Sequence, residues 1–312
     1  MSAITSGTVA LRVLSLVGVV LVGACGGGAA TPTPGAATPT TSVAASASAS
    51  PTTTLIGGQE VSLRDVADIE GAVRGYFDAF GKSDLSGLGK HSAGEVHVLA
   101  GWQDFMTQQS NALTPVAATV DSLEIVSVEA DTATVKITGD LVESVTVFRG
   151  NNVSDQEVTT DISGAVTVAR GRTWQIANFH RDARWAGDQL FTKVSGKVVT
   201  KGVAVTVLGV DLRPKGTVVV IEVNNNTAKA ASAINAMIVD ASGKQLLTSA
   251  GRDVEVLNVP EGVKTRAGLF FLKGLPTAAR KFTFRVTFVL CRNNSQVCAD
   301  EAIVKIPVEL VQ

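Results

Sequence analysis

Short runs of alternating apolar and polar residues fill most of the chain after about residue 120, and they constrain the fold more than any other feature. Successive side chains on a strand point to opposite faces, so such a run predicts a strand with one buried face. The chain is therefore expected to be rich in antiparallel sheet. The clearest run starts at Lys281, and its apolar residues are Phe282, Phe284, Val286, Phe288 and Leu290.

Two helical patterns precede these strands. The first lies between Val61 and Lys82, and its apolar residues recur with three- and four-residue spacing at Val66, Ile69, Val73, Phe77 and Phe80. A second, shorter helix is expected from about Trp102 to Leu113, ahead of Pro115, which cannot continue a helix. Helices followed by a series of strands predict an α+β domain.

The N-terminus has the layout of a secretory signal. Arg12 is followed by an apolar run from Val13 to Val22 and then by the small residues Gly23 and Ala24. A membrane-spanning helix needs roughly 20 apolar residues, and this run is about half as long. We therefore expect a signal peptide over residues 1–24 and no permanent span in that segment.

The sequence V-G-A-C that ends at Cys25 resembles the lipobox of bacterial lipoproteins. In that family the cysteine thiol receives a diacylglyceryl group, and a signal peptidase cleaves just before it. The resemblance implies an extracytoplasmic protein that begins at Cys25 and is lipid-anchored to a bacterial membrane. Two acyl chains, at about 0.8 kcal/mol for each buried CH2, are enough for stable anchoring. The alternative is an ordinary signal peptide followed by a chance cysteine.

The segment from residue 25 to residue 59 carries no charge and consists mainly of Thr, Pro, Ala, Ser and Gly. Such a composition cannot bury enough apolar surface to offset the entropy lost on ordering. We expect a disordered tether with a typical span on the order of 30 Å. Its Ser and Thr residues are candidate glycosylation sites, but composition alone does not show glycosylation.

Residues 60–192 resemble the nuclear transport factor 2-like (SnoaL-like) superfamily. The resemblance rests on the order of the elements and on two motifs, Y-F-D-A-F-G-K-S-D from Tyr76 and R-T-W-Q-I-A-N-F from Arg172. It implies an α+β cone in which a curved sheet wraps the long helix around an apolar pocket. The family includes isomerases, dehydratases and non-catalytic binding domains, so the fold alone does not decide the function.

Residues 193–312 contain only strand patterns, joined by turns such as Asp240-Ala241-Ser242-Gly243. Seven or eight short strands with turn signals predict an all-β sandwich. The arrangement resembles the Ig-like domains that follow the first domain of many bacterial surface lipoproteins. That resemblance is one of architecture and involves no motif.

Cys291 and Cys298 form an even pair once Cys25 is lipidated, and export places them in an oxidising compartment. We expect a disulfide between them. On an uninterrupted strand the two residues fall on opposite faces, so the bond requires a bulge or a loop residue between positions 291 and 302. The alternative, a redox or metal pair, needs C-x-x-C spacing or further ligands, and neither is present.

The resemblance to the cone-shaped family suggests where a pocket would lie. Enzymes of that family place an acid, a histidine or a tyrosine inside the cone, where burial shifts the pKa of an acid towards the working pH. We name no catalytic residue, metal ligand or cofactor, because no motif marks one. The candidate pocket residues are Tyr76, Trp102, Asp104, Trp174 and His180.

Three functions are compatible with the sequence. The expected one is a non-enzymatic binding or scaffolding module of the cell envelope, which binds an apolar small ligand or an envelope protein. The second is a lyase or isomerase acting in the cone, which predicts ionisable groups facing inward. The third is a structural accessory of an envelope complex. A net charge of −1 and the lack of a basic stripe argue against nucleic acid as a partner.

Overall fold

The structure is a computed structural model that describes residues 52–109, 113–149, 152–194, 196–248, 257–271, 273–275, 280–292 and 298–311. The predicted signal peptide, Cys25 and the tether up to residue 51 lie outside these ranges. Strands predominate, as the alternating patterns indicate, and the described residues hold four helices. Among these helices, none is both long enough and apolar enough to cross a membrane.

The helices all lie in the first part of the described chain. Their bounds are α1 Leu63–Gly81, α2 Leu85–Lys90, α3 Gly94–Gln109 and α4 Ala186–Gln189.

The strands are numbered in chain order. We call β1 to β10, together with the four helices, the N-terminal part, and β11 to β21 the C-terminal part. The bounds of the strands are β1 Thr53–Ile56, β2 Gln59–Ser62, β3 Thr114–Ala118, β4 Ser122–Glu129, β5 Thr132–Thr138, β6 Asp140–Arg149, β7 Asn152–Asp161, β8 Gly164–Arg170, β9 Trp174–Arg181, β10 Arg184–Trp185, β11 Leu190–Phe191, β12 Lys193–Val194, β13 Lys197–Thr200, β14 Val203–Arg213, β15 Gly216–Asn225, β16 Ala230–Val239, β17 Gln245–Thr248, β18 Asn258–Val259, β19 Lys264–Phe271, β20 Lys281–Cys291 and β21 Cys298–Val311.

Two main antiparallel sheets and helix α1 form most of the N-terminal part, beside the small sheet of β1 and β2. The larger sheet has the order β10-β9-β8-β5-β4, and the smaller one has the order β3-β6-β7. The apolar side of α1 lies in one core with the inward residues of β5, β8 and β9. This core is the reason that α1 keeps one apolar side over its whole length.

Helix α1 matches the predicted amphipathic helix. It begins after Ser62, whose hydroxyl oxygen accepts a hydrogen bond from the backbone N–H of Asp65 at 2.9 Å. It ends at Gly81, one residue before the predicted end at Lys82. Its buried apolar residues include Ile69, Val73, Phe77 and Phe80, which belong to the predicted apolar side.

The second predicted helix differs from the observed one. Helix α3 begins at Gly94, eight residues before the predicted start, and ends at Gln109. Helix α2 was not among the predicted helices, because its six residues are too few to show a helical repeat of apolar residues. The side chain of Asp84 accepts a hydrogen bond from the backbone N–H of Gly87 at 3.0 Å and so caps the short helix.

The end of the predicted tether is also different in the structure. Strands β1 and β2 pair as a hairpin where disorder was expected to continue to Gln59. The turn between them is Gly57-Gly58, and both glycines have positive φ. Gly-Gly is a favoured two-residue hairpin turn. The low-complexity composition of the preceding residues masks this signal in the sequence.

Two antiparallel sheets enclose one apolar core in the C-terminal part. One has the order β11-β14-β15-β19 and the other the order β12-β21-β20-β16-β17. Apolar side chains from both sheets belong to this core, including Ile221 of β15 and Phe284 of β20. The predicted alternation in β20 is observed, because Phe282, Phe284, Val286 and Phe288 are all buried.

Strand β15 is buried on both of its faces. Val219 and Ile221 point into the core of the C-terminal part, whereas Val218 and Val220 belong to a second apolar cluster with Trp102 of α3. All four of these β15 residues are 0% exposed. The N-terminal part therefore covers the outer face of this sheet, and its helix α3 supplies a third layer.

The predicted disulfide joins Cys291 to Cys298, with 4.3 Å between their Cα atoms. Leu290 pairs with Asp300, but Cys291 pairs with Cys298, so the register shifts by one residue at this point. This shift is the bulge that the phase of the two cysteines required.

Replacing Cys291 and Cys298 together with serine is expected to lower the free energy of unfolding by about 2.5 kcal/mol, because the short loop then regains its entropy in the unfolded chain. Denaturant unfolding of the wild type and the variant measures the change. A reductant should lower the stability of the wild type and leave that of the variant unaltered. Equal unfolding midpoints for the oxidised wild type and the variant would contradict the prediction.

Candidate functional site

Four buried charges meet where the N-terminal and C-terminal parts join, and we call them the charge cluster. Arg181 forms two parallel hydrogen bonds to Asp211, from Nη2 to Oδ1 at 2.6 Å and from Nη1 to Oδ2 at 2.9 Å. Arg213 donates from Nε to Asp211 Oδ2 at 2.8 Å and from Nη1 to Glu143 Oε2 at 2.5 Å. The charges thus alternate in sign along the chain of contacts.

Three strands position the charge cluster. Glu143 lies on β6 and Arg181 ends β9, both in the N-terminal part. Asp211 and Arg213 lie near the end of β14 in the C-terminal part. Each ion pair between Asp211 and Arg181, and between Arg213 and Glu143, therefore links the two parts of the molecule.

Burial makes the charge cluster sensitive to the loss of any member. The side chains of Arg181, Asp211 and Glu143 are at most 5% exposed, and that of Arg213 is 12% exposed. Taking a charge out of water costs several kcal/mol, and only an opposite charge held in good geometry offsets it. Removing one partner would leave the other as an uncompensated buried charge.

The two acids of the charge cluster have pKa shifts of opposite direction. Burial disfavours ionisation of Asp211, but the charges and hydrogen bonds of Arg181 and Arg213 outweigh it and lower the pKa of Asp211 to about 2. For Glu143 burial dominates, and its pKa is raised despite the charges of Arg213 and Arg181. The difference follows from partner number, because Asp211 accepts from two arginines and Glu143 from one.

A small cavity adjoins the charge cluster where the N-terminal and C-terminal parts meet. Its volume is about 30 Å³, and its walls include Tyr76, Trp102, Glu143 and Arg181. This volume suits one or two water molecules. Pockets that hold metabolites or drugs have volumes of about 300–1,000 Å³. The cavity therefore has no room for a substrate of several non-hydrogen atoms.

Two buried polar atoms of the charge cluster have no hydrogen-bond partner among the described residues. They are Oε1 of Glu143 and Nε of Arg181. Both residues line the cavity, so a water molecule there is the natural partner for these atoms. Burial also raises the pKa of the Tyr76 phenol, which keeps that hydroxyl neutral at the cavity wall.

The residues predicted to line a pocket lie in different places. Tyr76 and Trp102 line the cavity. Asp104 lies within α3, and its side chain is outside the described part of the structure. Trp174 lies elsewhere, where its Nε1 donates to Asp65 Oδ1 at 3.1 Å. His180 lies on a surface groove beside Trp185.

The histidines of the N-terminal part do not come together. His97 Nδ1 lies 3.1 Å from the hydroxyl of Ser92. His91 packs on Gly75, and both burial and the nearby charge of Lys90 lower its pKa. Within the described ranges, no group of three or more His, Cys, Asp or Glu side chains is arranged to hold a metal ion.

Sequence reasoning missed all four members of the charge cluster, although Glu143 and Arg181 each carried a signal. Glu143 is in phase with the buried residues Leu141 and Val145 on β6, and Arg181 follows the buried Phe179 at the same spacing. A charge on the apolar side of a strand needs an internal partner. The sequence shows the need but does not identify the partner.

Comparisons with known proteins add no relative. A scan against protein-family models, a search of curated proteins and a search of solved structures each found no significant match to this chain.

Replacing Asp211 with asparagine is expected to destabilise the protein by about 3 kcal/mol near neutral pH, because Arg181 and Arg213 lose their shared carboxylate. Because folding lowers the pKa of Asp211, its carboxylate stabilises the protein at pH values above its ordinary pKa of 3.8. This stabilisation is lost as the pH falls towards about 2. The difference between variant and wild type should therefore shrink below about pH 4. Urea unfolding at several pH values measures it.

The control is Asp68→Asn, which removes an exposed ion pair with Arg64 and should change stability by less than about 0.5 kcal/mol. The stability contributed by Glu143 depends on pH in the opposite direction. Because folding raises the pKa of Glu143, its contribution to the free energy of unfolding falls as the pH rises. Repeating the series in a Glu143→Gln background separates the two acids. A difference between Asp211→Asn and the wild type that stays constant down to pH 2 would contradict the assignment.

Proposed function

We propose that this protein is a lipid-anchored lipoprotein of the bacterial cell envelope and acts there as a non-enzymatic binding or scaffolding module. The anchor is Cys25, at the end of the V-G-A-C pattern. An uncharged segment follows Cys25 and links it to the described part of the chain.

The single observation that carries the non-enzymatic role is the size of the cavity beside the charge cluster. At about 30 Å³ it is too small for a carbon substrate. The ion pairs that close it join the N-terminal part to the C-terminal part, so opening it would expose or separate buried charges. Such an interior is suited to holding the two parts together and not to binding and converting a substrate.

The proposal includes the finer fold assignment. We infer a nuclear transport factor 2-like cone in the N-terminal part, supported by the long helix α1, which shares one core with the inward residues of β5, β8 and β9. We infer an Ig-like sandwich in the C-terminal part, supported by two antiparallel sheets around one core. Cone-shaped domains also serve as binding scaffolds, which is the role proposed for this chain.

One observation favours a second function, a lyase or isomerase. Tyr76, Glu143 and Arg181 are ionisable and buried around one cavity, and this is the arrangement that an enzyme in the cone would need. Against it, Glu143 and Arg181 already hold charged partners. The enzyme would require the cavity to open in solution.

A variant that enlarges the cavity tests whether the wild type is closed. Trp102→Ala removes a wall of the cavity and should let indole bind, so that indole raises the melting temperature of this variant only. The control Trp174→Ala removes a tryptophan outside the cavity walls and should not respond to indole. Thermal melts with and without the ligand measure the effect. Stabilisation of the wild type by small carbonyl compounds, lost in Glu143→Gln, would instead support the enzyme.

The anchor is tested by phase separation in Triton X-114 after expression in a bacterium that processes lipoproteins. The full chain should enter the detergent phase, because two acyl chains bind membranes stably. Cys25→Ser should stay in the aqueous phase. The control Cys291→Ser with Cys298→Ser should behave like the wild type. Equal partitioning of wild type and Cys25→Ser would overturn the proposed anchor.

A further inference from the structure

A surface groove of about 940 Å³ runs along the junction of the N-terminal and C-terminal parts. One wall is the hairpin of β9 and β10 with helix α4, and the other includes the turn between β14 and β15. The volume falls in the range of small-molecule pockets. The groove lies outside the cavity beside the charge cluster, although Arg213 borders both.

The charged residues on the groove give it a positive character. Arg184 and Arg280 are exposed on its walls, and neither forms an ion pair with any described residue. The charge of Arg213 is already balanced by Asp211 and Glu143. Asp188 is the single acid among the described residues that line the groove. Two guanidinium groups therefore remain available to an anion.

Aromatic and apolar surface accompanies these charges. Trp185 is half-buried and meets the edge of His180, with 4.2 Å between the ring centres. The guanidinium carbon of Arg280 lies 5.2 Å from the centre of the Phe191 ring, which restrains this arginine. Leu212 adds apolar surface. A planar or apolar group could pack on Trp185 while an anionic group meets the arginines.

The hairpin that carries Arg184 and Trp185 has a tight two-residue turn. Its two turn residues, Asp182 and Ala183, have φ of 46° and 62°. Positive φ at both positions is the geometry that a two-residue hairpin turn favours. The backbone N–H of Asp182 donates to Asp161 O at 2.7 Å, which fixes the turn.

The C-terminal part supports the same hairpin. Nζ of Lys215, in the turn between β14 and β15, lies 3.4 Å from Asp182 Oδ1. The lysine also donates to the backbone oxygen of Thr159. Both walls of the groove are thus braced against each other. A groove with fixed walls loses little conformational entropy when it binds a ligand, and this favours a high affinity.

We propose that this groove binds a small ligand that carries a carboxylate or phosphate beside an apolar ring. Arg184 and Arg280 hold the anionic group, and Trp185 contacts the ring. The inference rests on the proposed binding role and supplies its ligand class. It is independent of the lipid anchor, so failure of the test below would leave the result of the Triton X-114 experiment intact.

The test uses 8-anilinonaphthalene-1-sulfonate, an anionic fluorescent probe, and N-phenyl-1-naphthylamine, which has the same rings without the charge. Titrations are done at low ionic strength, where screening is weak. The double variant Arg184→Gln with Arg280→Gln should bind the anionic probe about tenfold more weakly, since each exposed pair contributes a few-fold. Its affinity for the neutral probe should change less than about twofold.

A second groove provides the matched control. It is more apolar, has a volume of about 430 Å³ and is lined in part by Lys281, Phe282 and Pro307. Lys281→Gln removes its exposed cation and should leave the affinity for the anionic probe unchanged. An affinity loss in Lys281→Gln and none in the double arginine variant would overturn the proposal.

Two further outcomes decide the proposal and its ligand class. Lack of binding of the anionic probe to the wild type would overturn it, as would equal loss of both probes in the double variant. Displacement of the bound probe by benzoate or phenyl phosphate, but not by benzyl alcohol, is the expected result. The stronger of the two competitors identifies the preferred anion, and displacement by benzyl alcohol alone would overturn the role of charge.

Discussion

The rest of the structure depends on the burial of four charges between two sets of sheets. Arg181 and Asp211 come from opposite sides of the junction, as do Glu143 and Arg213, and each pair is almost fully removed from water. Coulomb attraction in a poorly polarisable interior is strong enough to offset desolvation only when the partners touch. The junction therefore has one acceptable arrangement, since a shift of one part would leave charges unpaired.

Apolar packing at the same junction also fixes the arrangement of the two parts. The C-terminal sheet presents Val218 and Val220 to Trp102, so β15 has no solvent-exposed face. A Cβ atom on Gly209 would lie 2.3 Å from the ring of Trp102, which shows how closely β14 approaches α3. The N-terminal part therefore covers the face of β15 that would otherwise expose Val218 and Val220 to solvent.

The buried charges hold the two parts together, whereas the exposed charges are placed to bind a ligand. Arg213 is held by two acids inside the junction, whereas Arg184 and Arg280 stand on the adjacent groove without acidic partners among the described residues. A paired and buried guanidinium stabilises the junction and cannot also bind a ligand. An exposed one gains from an incoming anion. The same junction that closes the interior therefore supplies the walls of a groove on the outside.

The amino-acid sequence by itself determined the local structure. The spacing of Ile69, Val73 and Phe77 predicted α1, alternation predicted β20, and the phase of Cys291 and Cys298 predicted their bulge. Periodicity did not indicate α2, because this helix has only six residues. The cap from Asp84 offsets the weak helix propensity of its glycines.

Only the tertiary structure decided what the buried charges contact and where the groove lies. Asp211 is 30 positions from Arg181, and Arg213 is 70 positions from Glu143. Periodicity reports which side of a strand is buried, because that depends on neighbours two to four residues away. Which sheet covers that side depends on packing between distant segments, and no local pattern in the sequence encodes it.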